Sequence, residues 1–185
     1  MRVITGTARG RRLLELEGSE TRPTTDRVKE GLFSALQFDI EGAKVLDLFA
    51  GTGQLGIECL SRGAESAVFV ELRKDAAGLV KKNLALTGLA DRGTVINGNA
   101  RDFVTRTSER FDLVFLDPPY ASGLLEEILE RITAPGFDIL RPYGIIVAEH
   151  PADKVLPSLP PPCRLQRTYR YGKIAVTLFR RGGNE

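Results

Sequence analysis

The chain has 185 residues, of which 42% are apolar and 27% charged, and its formal net charge is +2. This length suits one compact domain with a sizeable core. No stretch approaches the ~18 apolar residues that cross a bilayer. The start, MRVITGTARGRRL, lacks the apolar region of a secretory signal, so we expect a cytoplasmic protein.

The charges are unevenly distributed along the chain. The first 14 residues contain four arginines and no acid, residues 163–185 contain six basic residues against one acid, and the part between them is acidic. Clustered Lys and Arg attract phosphates through counterion release, so the two basic ends are a candidate polyanion-binding face. An ordinary solvated surface would explain the same charges.

The first predicted elements are a hairpin and a helix. Residues 1–17 alternate weakly and contain two glycines, which predicts a small β-hairpin that projects its arginines. RPTTDRVKEGLFSAL then offers Thr25 or Asp26 as an N-cap, followed by apolar residues at helical spacing. We therefore expect a basic extension over residues 1–20 and a main domain over residues 21–185.

From Lys44 to Glu149, short apolar runs alternate with helical patterns. The helices are expected from Gly53 to about Arg62 and from about Lys74 to Thr87, each ending at a glycine. The alternation predicts a doubly wound α/β sheet with mostly parallel strands. The strands are expected at 44–49, 66–71, 94–99, 111–117 and 144–150.

The alternation of strand and helix patterns ends after the fifth strand. A proline-rich connector, PADKVLPSLPPPC, leads to RLQRTYRYGKIAVTLFRR, which predicts two strands turned at Tyr171–Gly172. This antiparallel hairpin is expected to join the sheet edge. The two cysteines, Cys59 and Cys163, are far apart and lack partners at metal-ligand spacing, so we expect free thiols and no metal site.

The stretch DLFAGTGQLG follows the first strand and satisfies the pattern G-x-G-x-x-G. A nucleotide-triphosphate loop is excluded because Ile57 and Glu58 stand where Lys and Ser/Thr are required. A dinucleotide site stays open, since Glu71 lies at the distance expected of a ribose-binding acid. Asp47 at the loop entry instead favours the cationic groups of S-adenosylmethionine over a pyrophosphate, although it could simply fix the loop.

A second motif, Asp117-Pro118-Pro119-Tyr120, ends the fourth strand at the sheet edge where α/β proteins bind ligands. If the motif has only a structural role, it is a rigid loop. Chemically, Asp117 and the Pro118 carbonyl can accept hydrogen bonds from an exocyclic amine, and the two prolines restrict the backbone that aims this carbonyl. Tyr120 offers a face on which a base can stack. No strong base is needed, and His150, the only histidine, is interpreted as structural.

These motifs occur together in a recognisable order. MRVITGTARGRRL, RPTTDRVKEGLF, VLDLFAGTGQLGIECLSRGA, LDPPY, VAEH and YGKIAVTLFRR make nearly the whole chain similar to the RsmD-type 16S ribosomal RNA guanine-N2 methyltransferases. The glycine loop alone would indicate any class I methyltransferase, and D-P-P-Y any amino-methyltransferase. The R-P-T-T-D-R segment and the basic start narrow the resemblance to the RsmD-type enzymes.

The resemblance implies a Rossmann-like class I fold with a seven-stranded sheet, acting as a monomer. It also implies methyl transfer from S-adenosylmethionine to N2 of a guanine in 16S rRNA, free or in a small-subunit particle. The target amine would meet Asp117, Pro118, Pro119 and Tyr120. RNA contacts would come from Arg9, Arg11, Arg12 and Arg22. Cofactor contacts would come from Thr25, Arg27, Asp47, Phe49, Gly51, Gly53, Glu71, Leu72, Asn99, Ala100 and Arg101.

One departure from the family pattern affects the cofactor. The family usually has Gly-Asp-Ala where this chain has Gly98-Asn99-Ala100, so an amide replaces the carboxylate expected to accept from the adenine amino group. An amide oxygen can accept that hydrogen bond without charge assistance. The sequence therefore predicts that the same cofactor binds more weakly.

Three other functions remain open. An adenine-N6 DNA methyltransferase can carry a related D-P-P-Y motif, although 185 residues leave little room for a DNA-recognition domain. A nicotinamide-dependent oxidoreductase would use the glycine loop and Glu71 but would leave D-P-P-Y unexplained. A non-catalytic RNA-binding module would explain the basic ends alone.

Overall fold

A computed structural model describes residues 1–16, 26–137 and 139–183 of the chain. Its strands are β1 Lys44–Asp47, β2 Ser66–Glu71, β3 Gly93–Asn97, β4 Phe111–Leu116, β5 Leu140–Pro151, β6 Cys163–Tyr171 and β7 Ile174–Arg181. Its helices are α1 Asp26–Ala35, α2 Gln54–Ser61, α3 Lys74–Thr87, α4 Ala100–Arg106 and α5 Leu124–Ile132, with short 3-10 turns at Ala90–Arg92 and Tyr120–Ser122.

The strands form one sheet in the order β3-β2-β1-β4-β5-β7-β6. The first five strands are parallel, and β7 pairs antiparallel with both β5 and β6. This arrangement confirms the predicted mostly parallel sheet with its antiparallel hairpin. The strand order reverses between β1 and β4, and open α/β sheets bind ligands in the crevice at such a switch point.

Helices cover both faces of the sheet, as near-continuous apolar strands require. One buried cluster joins α1, α2 and α3 to residues such as Val45, and the other joins α4 and α5 to residues such as Leu46. Adjacent strand residues alternate between these two cores because the side-chain period of a strand is two. The sheet edge above the carboxyl ends of the parallel strands is thereby left for a site.

The N-terminal segment forms a small hairpin, in which the Val3 amide donates to the Arg11 carbonyl and the Leu13 amide donates to the Met1 carbonyl, and it packs along α2. It makes a single antiparallel bridge, Arg2 with Arg12. Gly6 has φ +88°, and a Cβ there would lie 1.8 Å from the Ser61 carbonyl oxygen, so the backbone lies directly on the end of α2. Hydrogen bonds from the Ile4 and Thr5 amides to the Glu58 carboxylate, at 2.8 and 3.0 Å, replace further strand pairing.

Other details refine the prediction. β5 begins at Leu140, four residues before the predicted start, and passes through Tyr143 at φ 64° and a register shift against β4. Both cysteines are buried and unpaired, as expected. Within the described ranges, no helix is both long and apolar enough to span a bilayer.

Candidate active site

A cleft of about 1410 Å³ lies at the carboxyl ends of the parallel strands. One wall is the loop after β1, with the ends of β2 and β3 and the start of α4. The other wall is the loop after β4 with the end of β5 and the turn between β6 and β7. The cleft brings together most of the predicted site residues, namely Phe49, Gly51, Glu71, Leu72, Asn99, Ala100, Arg101, Asp117, Pro118, Pro119 and Tyr120.

The glycine loop is held to β2 by a carboxylate. The Gly51 amide donates to Glu71 Oε2 at 2.8 Å, and the Arg73 amide donates to Oε1 at 2.9 Å. Gly51 has φ +55°, and nothing lies within 4 Å of where its Cβ would be, so the backbone itself faces open space. A ligand can therefore approach the Gly51 backbone closely, with the Glu71 carboxylate beside it.

Gly53 supports the loop from behind and does not line the cleft. Its φ is +80°, and a Cβ would lie 2.9 Å from a methyl group of Val80. Gly53 is also the N-cap residue of α2. A side chain at this position would therefore be strained and would clash with α3.

Asp47 lies beneath the loop and also stays off the cleft wall. It is 2% exposed, and its Oδ2 accepts from the Gly56 amide at 3.1 Å. Burial raises the pKa of this carboxyl from 3.8 to about 7, with a further increase from Glu71, although the Gly56 hydrogen bond lowers it. The N-terminus of α2, which would hold a pyrophosphate in a dinucleotide fold, is thus already occupied by a carboxyl group.

Asn99 forms the N-cap of α4. Its Oδ1 accepts from the Arg101 amide at 2.8 Å. The Arg101 guanidinium in turn makes two 2.7 Å hydrogen bonds to Glu127 of α5. Asn99, the residue that departs from the family pattern, therefore caps a helix at the cleft wall in addition to its predicted contact with adenine.

The remaining predicted residues lie off the cleft or outside the described residues. Arg27 is exposed on α1 and is absent from the cleft wall. Thr25 and Arg22 lie outside the described residues. Arg9, Arg11 and Arg12 are exposed on the N-terminal segment.

The course of this segment sets how far its arginines are from the cleft. The Leu14 amide donates to Asn83 Oδ1, and Asn83 Nδ2 donates to the Thr52 carbonyl in the glycine loop. The Ala8 amide donates to Ser61 Oγ at the other end of α2. Because α2 has eight residues, the Arg9 end of the segment lies about 12 Å further from the cleft than the Leu14 end does.

The D-P-P-Y loop presents a carboxyl group and an aromatic ring. Asp117 is half-buried and Pro118 is buried, whereas Tyr120 is 44% exposed. Burial raises the pKa of Asp117 well above its usual value, and the carboxyl groups of Glu149 and Asp47 raise it further. The Tyr120 hydroxyl donates to Glu149 Oε1 at 2.8 Å, and burial and this carboxylate raise the pKa of the phenol.

Glu149 is a cleft residue to which sequence reasoning assigned no role. β4 and β5 are paired with Leu116 opposite Ala148, so Asp117 and Glu149 come next on neighbouring parallel strands. Glu149 lines the cleft while being only 8% exposed. Its signal in the sequence is an acid at the end of the apolar run GIIVAEH, and only the strand pairing reveals its partner.

His150 is not among the residues that line the cleft. Its Nδ1 lies 2.9 Å from the Pro151 carbonyl oxygen, which can only accept, so Nδ1 carries the proton. Nε2 then accepts from the Thr177 hydroxyl at 2.8 Å. Burial lowers the pKa of His150. This satisfied, neutral imidazole supports the structural interpretation.

The cleft walls carry both signs of charge. Glu15, Glu71, Asp117, Glu149 and Asp153 contribute carboxyl groups, whereas Arg73, Arg101 and Lys173 contribute cations. Among the described residues, no group of three or more His, Cys, Asp and Glu side chains is placed to hold a metal ion. The arrangement suits an organic ligand with a cationic part beside the glycine loop and a donor-rich group beside Asp117.

Comparison with known proteins places the chain among its relatives. The family described as "Conserved hypothetical protein 95" matches residues 1–180. "Ribosomal RNA small subunit methyltransferase D" of Escherichia coli is 38% identical over 181 residues, 98% of this chain and 90% of that protein. The protein of the same name from Haemophilus influenzae is 41% identical over 159 residues, covering 84% and 81% of the two chains.

A solved structure gives the same result. The Escherichia coli protein yhhF superposes with a TM-score of 0.88 at 38% sequence identity, covering 100% of this chain and 99% of that one. The resemblance predicted from the motifs is therefore confirmed. The chain belongs to the "Conserved hypothetical protein 95" family, alongside the ribosomal RNA small subunit methyltransferases D.

Proposed function

We propose that this chain transfers a methyl group from S-adenosylmethionine to the N2 amine of a guanine in 16S rRNA of the small ribosomal subunit. The observation that carries the proposal is the cleft in which the glycine loop and Glu71 face the D-P-P-Y loop. One wall suits the methyl donor and the other suits the acceptor amine. The choice of ribosomal RNA as the substrate rests on the names of the relatives.

The residues of the first wall fit S-adenosylmethionine. When bound, this cofactor supplies an electrophilic methyl group on a sulfonium. Glu71, which holds the Gly51 amide, would also accept from ribose hydroxyls, and the methionyl part would lie against the open backbone at Gly51. Leu72 is 67% exposed at the wall and offers an apolar surface for the adenine. Asp47 would act through the loop that it fixes, and its carboxyl favours a cationic ligand over a pyrophosphate.

The residues of the second wall prepare the amine. Asp117 and the Pro118 carbonyl accept hydrogen bonds from the N2 amine and orient its lone pair. The ring of Tyr120 stacks on the guanine, which must leave its own stack to enter the cleft. The raised pKa of Asp117 suits a carboxylate that receives the proton released when nitrogen is alkylated.

The RNA backbone would be held by cations on both sides of the cleft. Arg9, Arg11, Arg12 and Arg22 remain the predicted contacts on the N-terminal side. On the other side β6 exposes Arg164, Arg167 and Arg170, and Lys173 lies at the cleft itself. One chain supplies both cleft walls, so we expect a monomer to act, in the cytoplasm where ribosomes assemble.

Methyl transfer to ribosomal substrates tests the proposal. Tritiated S-adenosylmethionine is offered to 30S particles and to free 16S rRNA that lack the modification, and the products are digested for nucleoside mass spectrometry. We expect N2-methylguanosine as the product. The rate of methyl transfer should fall by about 100-fold or more in Asp117→Ala. The exposed Asp102→Ala is the matched control and should keep the wild-type rate. Incorporation into duplex DNA alone would instead support the adenine-N6 alternative.

A further inference from the structure

Two carboxyl groups stand side by side above the sheet at the acceptor wall. The pairing of β4 with β5 places Asp117 next to Glu149, and both line the cleft. Neighbouring strands are about 4.8 Å apart, so both carboxylates can contact one planar group. The electrostatic influence of Glu149 on Asp117 agrees with this closeness. Hydrogen bonds from the donors of a bound base favour the ionised form of both carboxyl groups, and an ionised pair offers acceptors only.

The bases differ in what they present to such a pair. On its Watson–Crick edge, guanine carries two adjacent donors, the N1–H and the N2 amine. Adenine and cytosine each carry an amine donor next to an unprotonated ring nitrogen, which a carboxylate would repel. Two adjacent acceptors therefore match guanine and oppose the other amino-bearing bases.

We propose that Glu149 accepts a hydrogen bond from N1–H of the target guanine while Asp117 holds its N2 amine, which makes Glu149 a specificity-determining residue. This inference rests on the proposed function and goes beyond it. It explains how a D-P-P-Y site of a kind shared by several amino-methyltransferases is restricted to one base.

The surroundings of Glu149 fix its carboxylate for this task. β5 lies between β4 and β7 in the sheet, so the strand that carries Glu149 is bonded to a neighbour on each side. The Tyr120 hydroxyl holds Oε1 at 2.8 Å. A carboxylate has about four acceptor positions, so it can accept from Tyr120 and from a base together. The same hydrogen bond sets the ring on which that base would stack.

The test uses 2-aminopurine in place of the target guanine. This base keeps the N2 amine, but its N1 is an acceptor. Particles are reconstituted with 16S rRNA ligated to carry either base at the mapped position, and kcat/KM is measured for both. We expect the wild type to prefer guanine by about ten-fold or more. In Glu149→Gln the amide N–H can donate to N1 of 2-aminopurine, so the preference should fall by about ten-fold.

Tyr120→Phe is the matched control, because it keeps the ring and removes the hydrogen bond to Glu149. It should lower kcat/KM for both bases equally. If it shifts the base preference as E149Q does, Glu149 acts only by placing Tyr120 and the inference is wrong. An equal loss on both bases in E149Q would also overturn it. Equal wild-type rates on the two bases would overturn it whether or not the variant folds.

Failure of the proposed function gives a different result. If the wild type forms no N2-methylguanosine on the ribosomal substrate, the function itself is wrong. If the wild type forms it and the base preference is insensitive to E149Q, only the role of Glu149 is wrong.

Discussion

At the scale of single residues, Asp47 links the stability of the protein to pH. Its buried carboxyl has a pKa of about 7, against 3.8 ordinarily. Between about pH 4 and 7 the folded state keeps a proton that the unfolded state has lost. The contribution of Asp47 to stability is therefore present below about pH 4, decreases as the pH rises through this window, and is constant above it.

Asp47→Asn should remove this dependence. The amide has the same shape, carries no charge and can still accept from the Gly56 amide. We expect the variant to gain stability over the wild type by on the order of 2–4 kcal/mol at pH 8 and by little at pH 4.5. Thermal unfolding across this range measures the difference, with the exposed Asp102→Asn as control. A constant difference at all pH values would contradict the prediction.

Asn99 yields a prediction in which stability and ligand binding separate. Asp is as good an N-cap as Asn and is favoured at a helix N-terminus, so Asn99→Asp should change stability by less than ~1 kcal/mol. A carboxylate should accept more strongly from the adenine amino group, so we expect the Kd for S-adenosylmethionine to fall about three- to ten-fold. Calorimetric titration measures this Kd, and an unchanged value would show that the position does not affect cofactor binding.

Individual site residues were predictable where their signal is local. The glycine spacing, Glu71 and the D-P-P-Y loop each follow a strand, and the cleft brings them together. Glu149 was not predictable as a partner of Asp117, because their pairing depends on the register of β4 against β5. The orientation of Asp47 towards Gly56 depends on how the loop closes, which residue type alone does not decide.

At the scale of elements, a buried ion pair holds the N-terminal segment to the helices. The Lys29 and Glu58 side chains are both 0% exposed, and their Nζ and Oε2 atoms are 3.5 Å apart. Lys29 also donates to the Arg2 carbonyl at 2.8 Å. Glu58 accepts from the first loop of the chain and from Arg62 Nε at 2.9 Å. Three parts of the chain thus meet at one carboxylate.

Glu58→Ala should therefore be strongly destabilising. It leaves a buried ammonium without its counter-ion, so we expect the free energy of unfolding to fall by about 3–5 kcal/mol. The Ile4 and Thr5 amides should also exchange faster with deuterium, because they lose their acceptor. Denaturant unfolding and hydrogen exchange measure these effects. The exposed Glu65→Ala should stay within about 0.5 kcal/mol of the wild type, and a similarly small effect of Glu58→Ala would contradict the prediction.

The elements differ in how far sequence predicted them. The core strands follow from apolar runs, because burial between two helical layers requires such runs. The small N-terminal hairpin was predicted, but its attachment to α2 was not, since the Ile4 and Thr5 amides bond to a side chain more than fifty positions away. Alternation over a few residues carries no information about such a distant partner.

At the scale of the whole molecule, the distribution of cations predicts how RNA binds. β6 is an outer strand of the sheet with exposed arginines, and Lys173 continues them to the cleft. Charged side chains also occur on outer strands simply to prevent edge-to-edge pairing. Binding measurements distinguish these two roles.

The triple variant Arg164→Gln, Arg167→Gln, Lys173→Gln should bind small-subunit RNA more weakly. Each lost phosphate contact should make the slope of log K against log salt shallower by about 0.7–0.9, with cofactor affinity unchanged. Filter binding at several salt concentrations measures the slope. Lys81→Gln with Lys82→Gln, two exposed residues of α3, is the control. Equal slopes for the two sets of variants would show that β6 does not contact RNA.

The position of β7 has a consequence for biosynthesis. It is the last strand of the sheet in chain order, yet it lies between β5 and β6. While the nascent chain is growing, β5 has an open edge and β6 has no strand to pair with until residue 181 has left the exit tunnel. The acceptor wall, which includes the end of β5 and the turn before β7, therefore forms last. An enzyme that modifies ribosomes would therefore complete the wall with the glycine loop before the wall that receives the RNA.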